Sequence, residues 1–358
     1  MADASSANAA TITRVASRIT VRPFRRTTLR SKPWRRGATV LVFSVFAAGI
    51  AAAADAPDMP ASEVVALLNR IQQAAQKQNY VGTFVYQQGN QVQSSRVTHV
   101  VDRAGEHEKL EMMDGQAREF IRHNDDVRSY MPDSKLVLIE KRARSDSFPA
   151  LLTSPPVDLD HFYKLSIEGM DRIAGRNAQV VALKARDKQR YGYRLWVDKE
   201  SFLLLKAQTI NEKGVSIEQV AFTNVTIGGS IDAARIKPAA ANTDGWRTET
   251  NRMVPVDLGE AGWSVARPVP GFRKVMEVRR AFGGREDIGQ MVYSDGLAAI
   301  SIFIEPAEPH DAPAGEASKG PVNVVTQRHG EFWLTIVGDA PATSVRDMAR
   351  QIEFKSTK

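Results

Sequence analysis

From Tyr80 to Ile227 the sequence is a succession of short runs in which apolar residues recur at every second position, each closed by a polar turn. Side chains alternate faces along an extended strand, so this period demands β-structure with one face buried. The runs are Tyr80 to Tyr86, Gln91 to Val101, Lys109 to Met113, Arg118 to His123, Val127 to Met131 and Lys135 to Glu140. Five more follow, at Tyr163 to Gly169, Gln179 to Ala185, Tyr191 to Val197, Phe202 to Asn211 and Ile217 to Ile227. Ahead of them one segment has the other period: from Ser62, Val64, Leu67, Leu68, Ile71, Ala74 and Ala75 share a helical face, and Asn79 ends it. One helix followed by many short antiparallel strands predicts a mainly β (α+β) fold, a strongly curved sheet or open barrel packed on that helix.

Two stretches interrupt the pattern. Lys141 to Phe162 lacks alternation and carries Pro149, Pro155 and Pro156, so it reads as a long loop or short helix of the kind that serves function. Gly228 to Thr250 is polar and Ala-rich, and reads as a linker. Beyond it, strands are expected at Arg273 to Phe282, Gly289 to Ser294, Ala298 to Ile304, Asn323 to Arg328 and Phe332 to Val337, with Glu305 to Pro321 as a flexible hairpin loop. A short helix from Thr343 to Gln351, with Thr343 as N-cap, closes the chain. The layout is a leader over 1–54, a larger domain over 55–229, a linker over 230–250 and a smaller domain over 251–358.

The leader explains the charge. The chain of 358 residues carries a formal +7, but nine basic residues precede Gly37 and only Asp3 accompanies them. After residue 54 the balance is 39 basic against 40 acidic residues, so the body has no global reason to seek nucleic acid. Arg35-Arg36, the apolar run Gly37 to Ala54 and Ala-x-Ala sites ending at Ala54 or Ala56 read as a cleaved signal peptide. Arg25-Arg26 is not followed directly by the apolar run, which favours Sec over twin-arginine export into the periplasm. The chain contains no cysteine, so disulfides, thiol catalysis and a lipidated cysteine are excluded.

No catalytic signature is present. The six histidines (His99, His107, His123, His161, His310 and His329) lack metal-ligand spacing. There is no GxSxG elbow, P-loop or dinucleotide fingerprint, and Asp125-Asp126 and Asp158-x-Asp160 fall in turns. A binding protein without cofactor or metal is the expectation, not an enzyme.

Several motifs stand in a telling order. They are Met113-Asp114-Gly115 with Arg118-Glu119, Asp171-Arg172-Ile173-Ala174-Gly175-Arg176, and Arg190-Tyr191-Gly192-Tyr193 leading to Leu195-Trp196-Val197-Asp198. Glu218-Gln219, Pro270-Gly271-Phe272, Tyr293-Ser294-Asp295-Gly296-Leu297 and Thr335-Ile336-Val337-Gly338 follow. In this order, behind a signal peptide, the chain resembles the MucB/RseB family of sigma-factor regulators over its whole mature length. The resemblance implies a LolA/LolB-like open barrel with an acyl-chain cavity, followed by a domain that docks on the periplasmic part of a transmembrane anti-sigma factor of the RseA/MucA type. It further implies that bound protein shields this partner from regulated proteolysis, and that lipopolysaccharide or a lipoprotein's acyl chains release it. A carrier of the LolA type is the alternative. It would need only the first domain and leaves residues 251–358 without a task. The sequence does not fix the oligomeric state, a homo-oligomer included.

Candidate residues follow from type and place. For lipid they are Arg142 and Arg144 beside Phe148, Leu151 and Leu152 in the Pro-rich segment, and Arg118 and Arg122 on one strand face. The same seven residues also read as an ordinary loop capping the barrel and a solvated face in which Arg122 pairs with Glu106 or Glu108. Trp196 either lines the cavity or fills the core under the helix, its facing opposite to Leu195 and Val197. For the protein partner they are Arg279, Arg280, Tyr293, Asp295, Phe332 and Trp333, since arginines and aromatics dominate interface hot spots and half of any strand list is buried.

Overall fold

The computed structural model describes residues 60–141, 158–240, 242–282, 285–308 and 313–355. Helix α1 (Ala61–Lys77) leads into β1 (Tyr80–Gln88), β2 (Gln91–Asp102), β3 (Gly105–Met112), β4 (Glu119–His123), β5 (Asp126–Met131) and β6 (Leu136–Lys141). A one-turn helix α2 (Leu159–Phe162) precedes β7 (Tyr163–Ile173), β8 (Arg176–Ala185), β9 (Gly192–Asp198), β10 (Leu204–Ile210) and β11 (Ser216–Ile227). With β12 (Arg247–Asn251) these form one 12-stranded sheet ordered β12-β6-β5-β4-β3-β2-β1-β11-β10-β9-β8-β7. The sheet does not close: β12 and β7 are its two ends.

The helical face expected of α1 is the face that packs. Val64, Leu67, Leu68 and Ile71 are buried against Leu165, Val181, Leu183, Leu195, Val197 and Leu204, on strands β7 to β10. Ala75 joins a second cluster with Tyr80, Phe84, Val97, Leu110, Val180, Trp196 and Phe222. Leu195 and Trp196 are adjacent in β9 yet belong to different clusters, because the strand buries both of its faces.

The second sheet is built from β13 (Met253–Pro255), β15 (Arg273–Phe282), β16 (Arg285–Ser294), β17 (Ala299–Pro306), β18 (Gly315–Lys319), β19 (Val322–His329) and β20 (Phe332–Gly338). Its order is β13-β15-β16-β17-β20-β19-β18, and β14 (Trp263–Val265) pairs with β21 (Ile352–Phe354) in a small separate ladder. Helix α3 (Ala342–Arg350) buries Val345, Met348 and Ala349 on this sheet beside Ile300, Ile302, Leu334 and Ile336.

Three expectations are corrected. The linker is not bare chain: a 3-10 turn at Ala233–Ile236 precedes β12, which extends the first sheet by pairing parallel to β6. The stretch Glu305 to Pro321 contains β18, which pairs with β19. Pro341, not Thr343, occupies the N-cap of α3, and no side chain caps it. The two strands depart from pattern for one reason: β12 and β18 are almost wholly exposed, so nothing selects apolar alternation there.

Candidate functional site

The residues with the most unusual surroundings lie where the two sheets meet. The connection from β8 to β9 turns at Asp187, whose carboxylate accepts the Gln189 amide at 2.8 Å and Arg190 Nε at 3.0 Å. That aims the guanidinium across the seam. There Arg190 Nη1 donates to Asp295 Oδ2 at 2.7 Å and Nη2 to the Pro270 carbonyl at 2.6 Å. Phe162 lies under its Cζ at 4.3 Å, with Phe272 at 5.6 Å. Both charged side chains are fully buried.

Asp295 is held as firmly from its own side. Its Oδ1 accepts the amides of Leu297 and Ala298 at 3.0 and 2.8 Å, and Tyr163 OH donates to Oδ2 at 3.1 Å. Burial pushes this carboxyl above its ordinary value, with Arg190 and the two amides opposing. Burial, and then the Asp295 charge, push the Tyr163 phenol well up, so it stays a donor. The turn that Asp295 fixes carries Leu297 into the core cluster under α1, across the domain boundary. Gly271 completes the fit: its φ is +85°, and a Cβ there would meet the Phe162 ring at 2.8 Å.

Further polar contacts cross the seam. Asn323 Nδ2 donates to Tyr191 OH at 3.1 Å, and Ser344 Oγ to the Gln189 carbonyl at 2.7 Å. On the other side, Arg280 Nη2 lies 3.8 Å from Glu140 Oε1 on β6, and Asn251 Nδ2 donates to the same oxygen at 2.8 Å. Arg273 pairs with Asp158. Asp339, half-buried, accepts the Ala299 amide at 2.6 Å, and burial with the charges of Asp295 and Glu218 pushes its carboxyl up to about 7.

The expected lipid residues divide. Arg142, Arg144, Phe148, Leu151 and Leu152 lie outside the described residues. Arg118 is half-buried ahead of β4, its carbonyl accepting the Met112 amide. Arg122 is buried and lies 3.3 Å from Glu106 and 3.4 Å from Glu108, so its charge is matched inside the sheet by the carboxylates expected of it, but not on a solvated face. Trp196 is in the core, 5% exposed, its Nε1 donating to Asp171 at 2.8 Å with Lys206 over the ring at 4.2 Å. A cleft of about 560 Å³ opens at the end of α1, but Lys77, Gln78, Arg176 and Glu200 beside Val101 and Ile227 give it a mixed lining unsuited to acyl chains.

The expected partner residues also divide. Arg280, Tyr293 and Asp295 are buried at 4%, 6% and 4% exposure, two of them in the seam, so they do not form a free docking surface. Phe332 is half-buried in an aromatic group, 5.0 Å from Trp263 and 5.1 Å from Phe354. Arg279 is on the surface in a 2.7 Å pair with Asp287, and Trp333 is half-buried on the opposite facing to Phe332. Arg190, Tyr163 and Asn323 were not singled out. The signal for Arg190 was present, because its motif, the Pro270 motif and the Asp295 motif all meet at this one place.

Similarity to known proteins runs through both sheets. The MucB/RseB N-terminal domain matches residues 63–240 and the MucB/RseB C-terminal domain matches residues 257–353. The chain belongs to the MucB/RseB family. It is 29% identical over 328 residues to the sigma factor AlgU regulatory protein MucB of Pseudomonas aeruginosa, covering 87% of this chain and 95% of that one. It is 27% identical over 306 residues to the sigma-E factor regulatory protein RseB of Escherichia coli K12, covering 84% and 93%. Among solved structures, the MucA/MucB complex of P. aeruginosa superposes with a TM-score of 0.65 at 26% identity, covering 82% of this chain and all of that one. MucB in complex with MucA(peri) gives 0.63 at 26% identity, covering 83% and all of that chain. This MucB/RseB-family chain therefore shares the two-sheet architecture, and its seam lies within the shared region. Among the described residues no helix is long and apolar enough to cross a membrane.

Proposed function

We propose that this MucB/RseB-family protein is a periplasmic, non-catalytic regulator that binds the periplasmic part of a transmembrane anti-sigma factor and shields it from proteolysis. Lipopolysaccharide or a lipidated ligand, taken up by the first domain, releases it. Residues 1–54 export the chain, residues 55–229 sense lipid and residues 251–358 dock. The observation that carries this reading is the match, along both sheets, to a MucB seen with MucA(peri). Of the partner candidates, Arg279 and Trp333 are the two left at least partly exposed outside the seam and the aromatic group, on opposite faces of the second sheet. The sheet that fails to close gives the first domain the capacity to open around a ligand.

The test is a calorimetric titration of a MucA-type periplasmic domain into the mature protein, repeated as lipopolysaccharide is added. The reading expects binding that weakens at least tenfold with lipid, which corresponds to about 1.4 kcal/mol of coupling. A lipid carrier would take up the lipopolysaccharide and ignore the anti-sigma domain.

A further inference from the structure

The first sheet ends at β12 and β7 without joining them, and the second domain holds both sides of that opening. One strand reaches from side to side. Arg273, at the start of β15, pairs with Asp158 immediately before α2 and β7. Arg280, seven residues on, faces Glu140 of β6, which carries β12. Seven residues of extended chain span roughly 23 Å. β15 is not a loose tether: it is hydrogen-bonded to β13 on one side and β16 on the other. Its β6 end is also joined through the backbone, because β12 passes to β13 across the single residue Arg252. Its β7 end lies beside the Arg190–Asp295 pair.

We infer that β15 is a strap of fixed length across the open side of the first sheet. The width of that opening and the orientation of the second domain are then one variable. Spreading β6 from β7 must break the hold at Glu140 or at Asp158 and carry the second sheet with it. The holds at Glu140 and Asp158 suit such movement, because the groups of an ion pair rehydrate when parted, whereas an apolar contact loses its burial outright. The trigger rests on the lipid-release reading above; the strap does not.

The absence of cysteine makes the test clean, since introduced cysteines are the only thiols. One spin-label pair, at Lys141→Cys and Met170→Cys, reads the opening, both positions being exposed on β6 and β7. A second pair, at Glu200→Cys and Lys355→Cys, reads the orientation of the two domains. In the Arg273→Ser, Arg280→Met variant, with both holds of the strap cut, each distance distribution should broaden and lengthen by several ångströms. If the interdomain distance changes while the opening keeps its native width, or if neither moves, the strap is overturned. Should the double variant not fold, Arg273→Ser alone, at an exposed position, gives the same reading at smaller amplitude. Lipopolysaccharide added to the native chain reads the trigger separately. Widening in the variants with no response to lipid keeps the strap and sinks the lipid-release reading.

Discussion

The two buried ion pairs between the domains differ in a way that assigns them different tasks. Arg190 meets Asp295 at 2.7 Å, with Asp187, Pro270 and an aromatic floor holding it and Tyr163 with two amides holding its partner. Arg280 stands 3.8 Å from Glu140, donates to Gln290 at 3.1 Å, and shares the Glu140 oxygen with Asn251. A pair satisfied on every side fixes geometry, while a longer, shared one gives way first. The side-chain hold on the β7 side is therefore the firmer of the two, and the Arg280–Glu140 contact on the β6 side the more yielding.

The largest effect expected from this contrast is at the firmer hold. Arg190→Met leaves Asp295 charged and buried, at a cost of about 3–5 kcal/mol in stability, read from urea unfolding. An equal loss on Glu140→Gln would erase the distinction between the two pairs. Next is Gly271→Ala, which forces an L-residue to a positive φ and its methyl into the Phe162 ring. The same denaturation series should show a loss of roughly 1–3 kcal/mol. Glu140→Gln keeps an acceptor for Asn251 and leaves Arg280 its Gln290 acceptor, so its cost stays below that of Arg190→Met, at about 1–2 kcal/mol. The increase in interdomain mobility should exceed what so small a loss suggests.

The smallest effect is on pH dependence. The Asp339 carboxyl, raised to about 7, gives the folded state stability that is fully present below its ordinary value near 3.8 and is lost as pH rises through 7. Asp295 is shifted in the same direction. Melting temperatures between pH 5 and 8 should fall in the native chain and fall less in Asp339→Asn, which keeps an acceptor for the Ala299 amide. A steeper fall in the variant would place the slope elsewhere.

Much of the first sheet was legible because its strands bury one face and show it as period two. α1 was legible because its six apolar positions are the six that the structure buries. What escaped is instructive. β12 and β18 lie at sheet edges with solvent around them, and leave no apolar trace. Arg280 and Asp295 were read as surface residues because isolated charges default to water. They are buried because their countercharges come from the other domain, 140 and 105 residues away in sequence. The motifs that marked the family turn out to be contacts as well: Asp171 accepts from Trp196, Arg176 pairs with Asp198, and Arg190 meets Asp295. Order along the chain revealed them as a set, whereas their pairing needed three dimensions.

Scanning calorimetry of the mature chain tests most directly whether the anchored seam makes the two sheets one unit. The native protein should unfold in a single transition whose calorimetric and van't Hoff enthalpies agree, and Arg190→Met should split it in two. Two separate transitions in the native protein, unchanged by the substitution, would mean that the domains stand independently and that nothing passes between them through this contact.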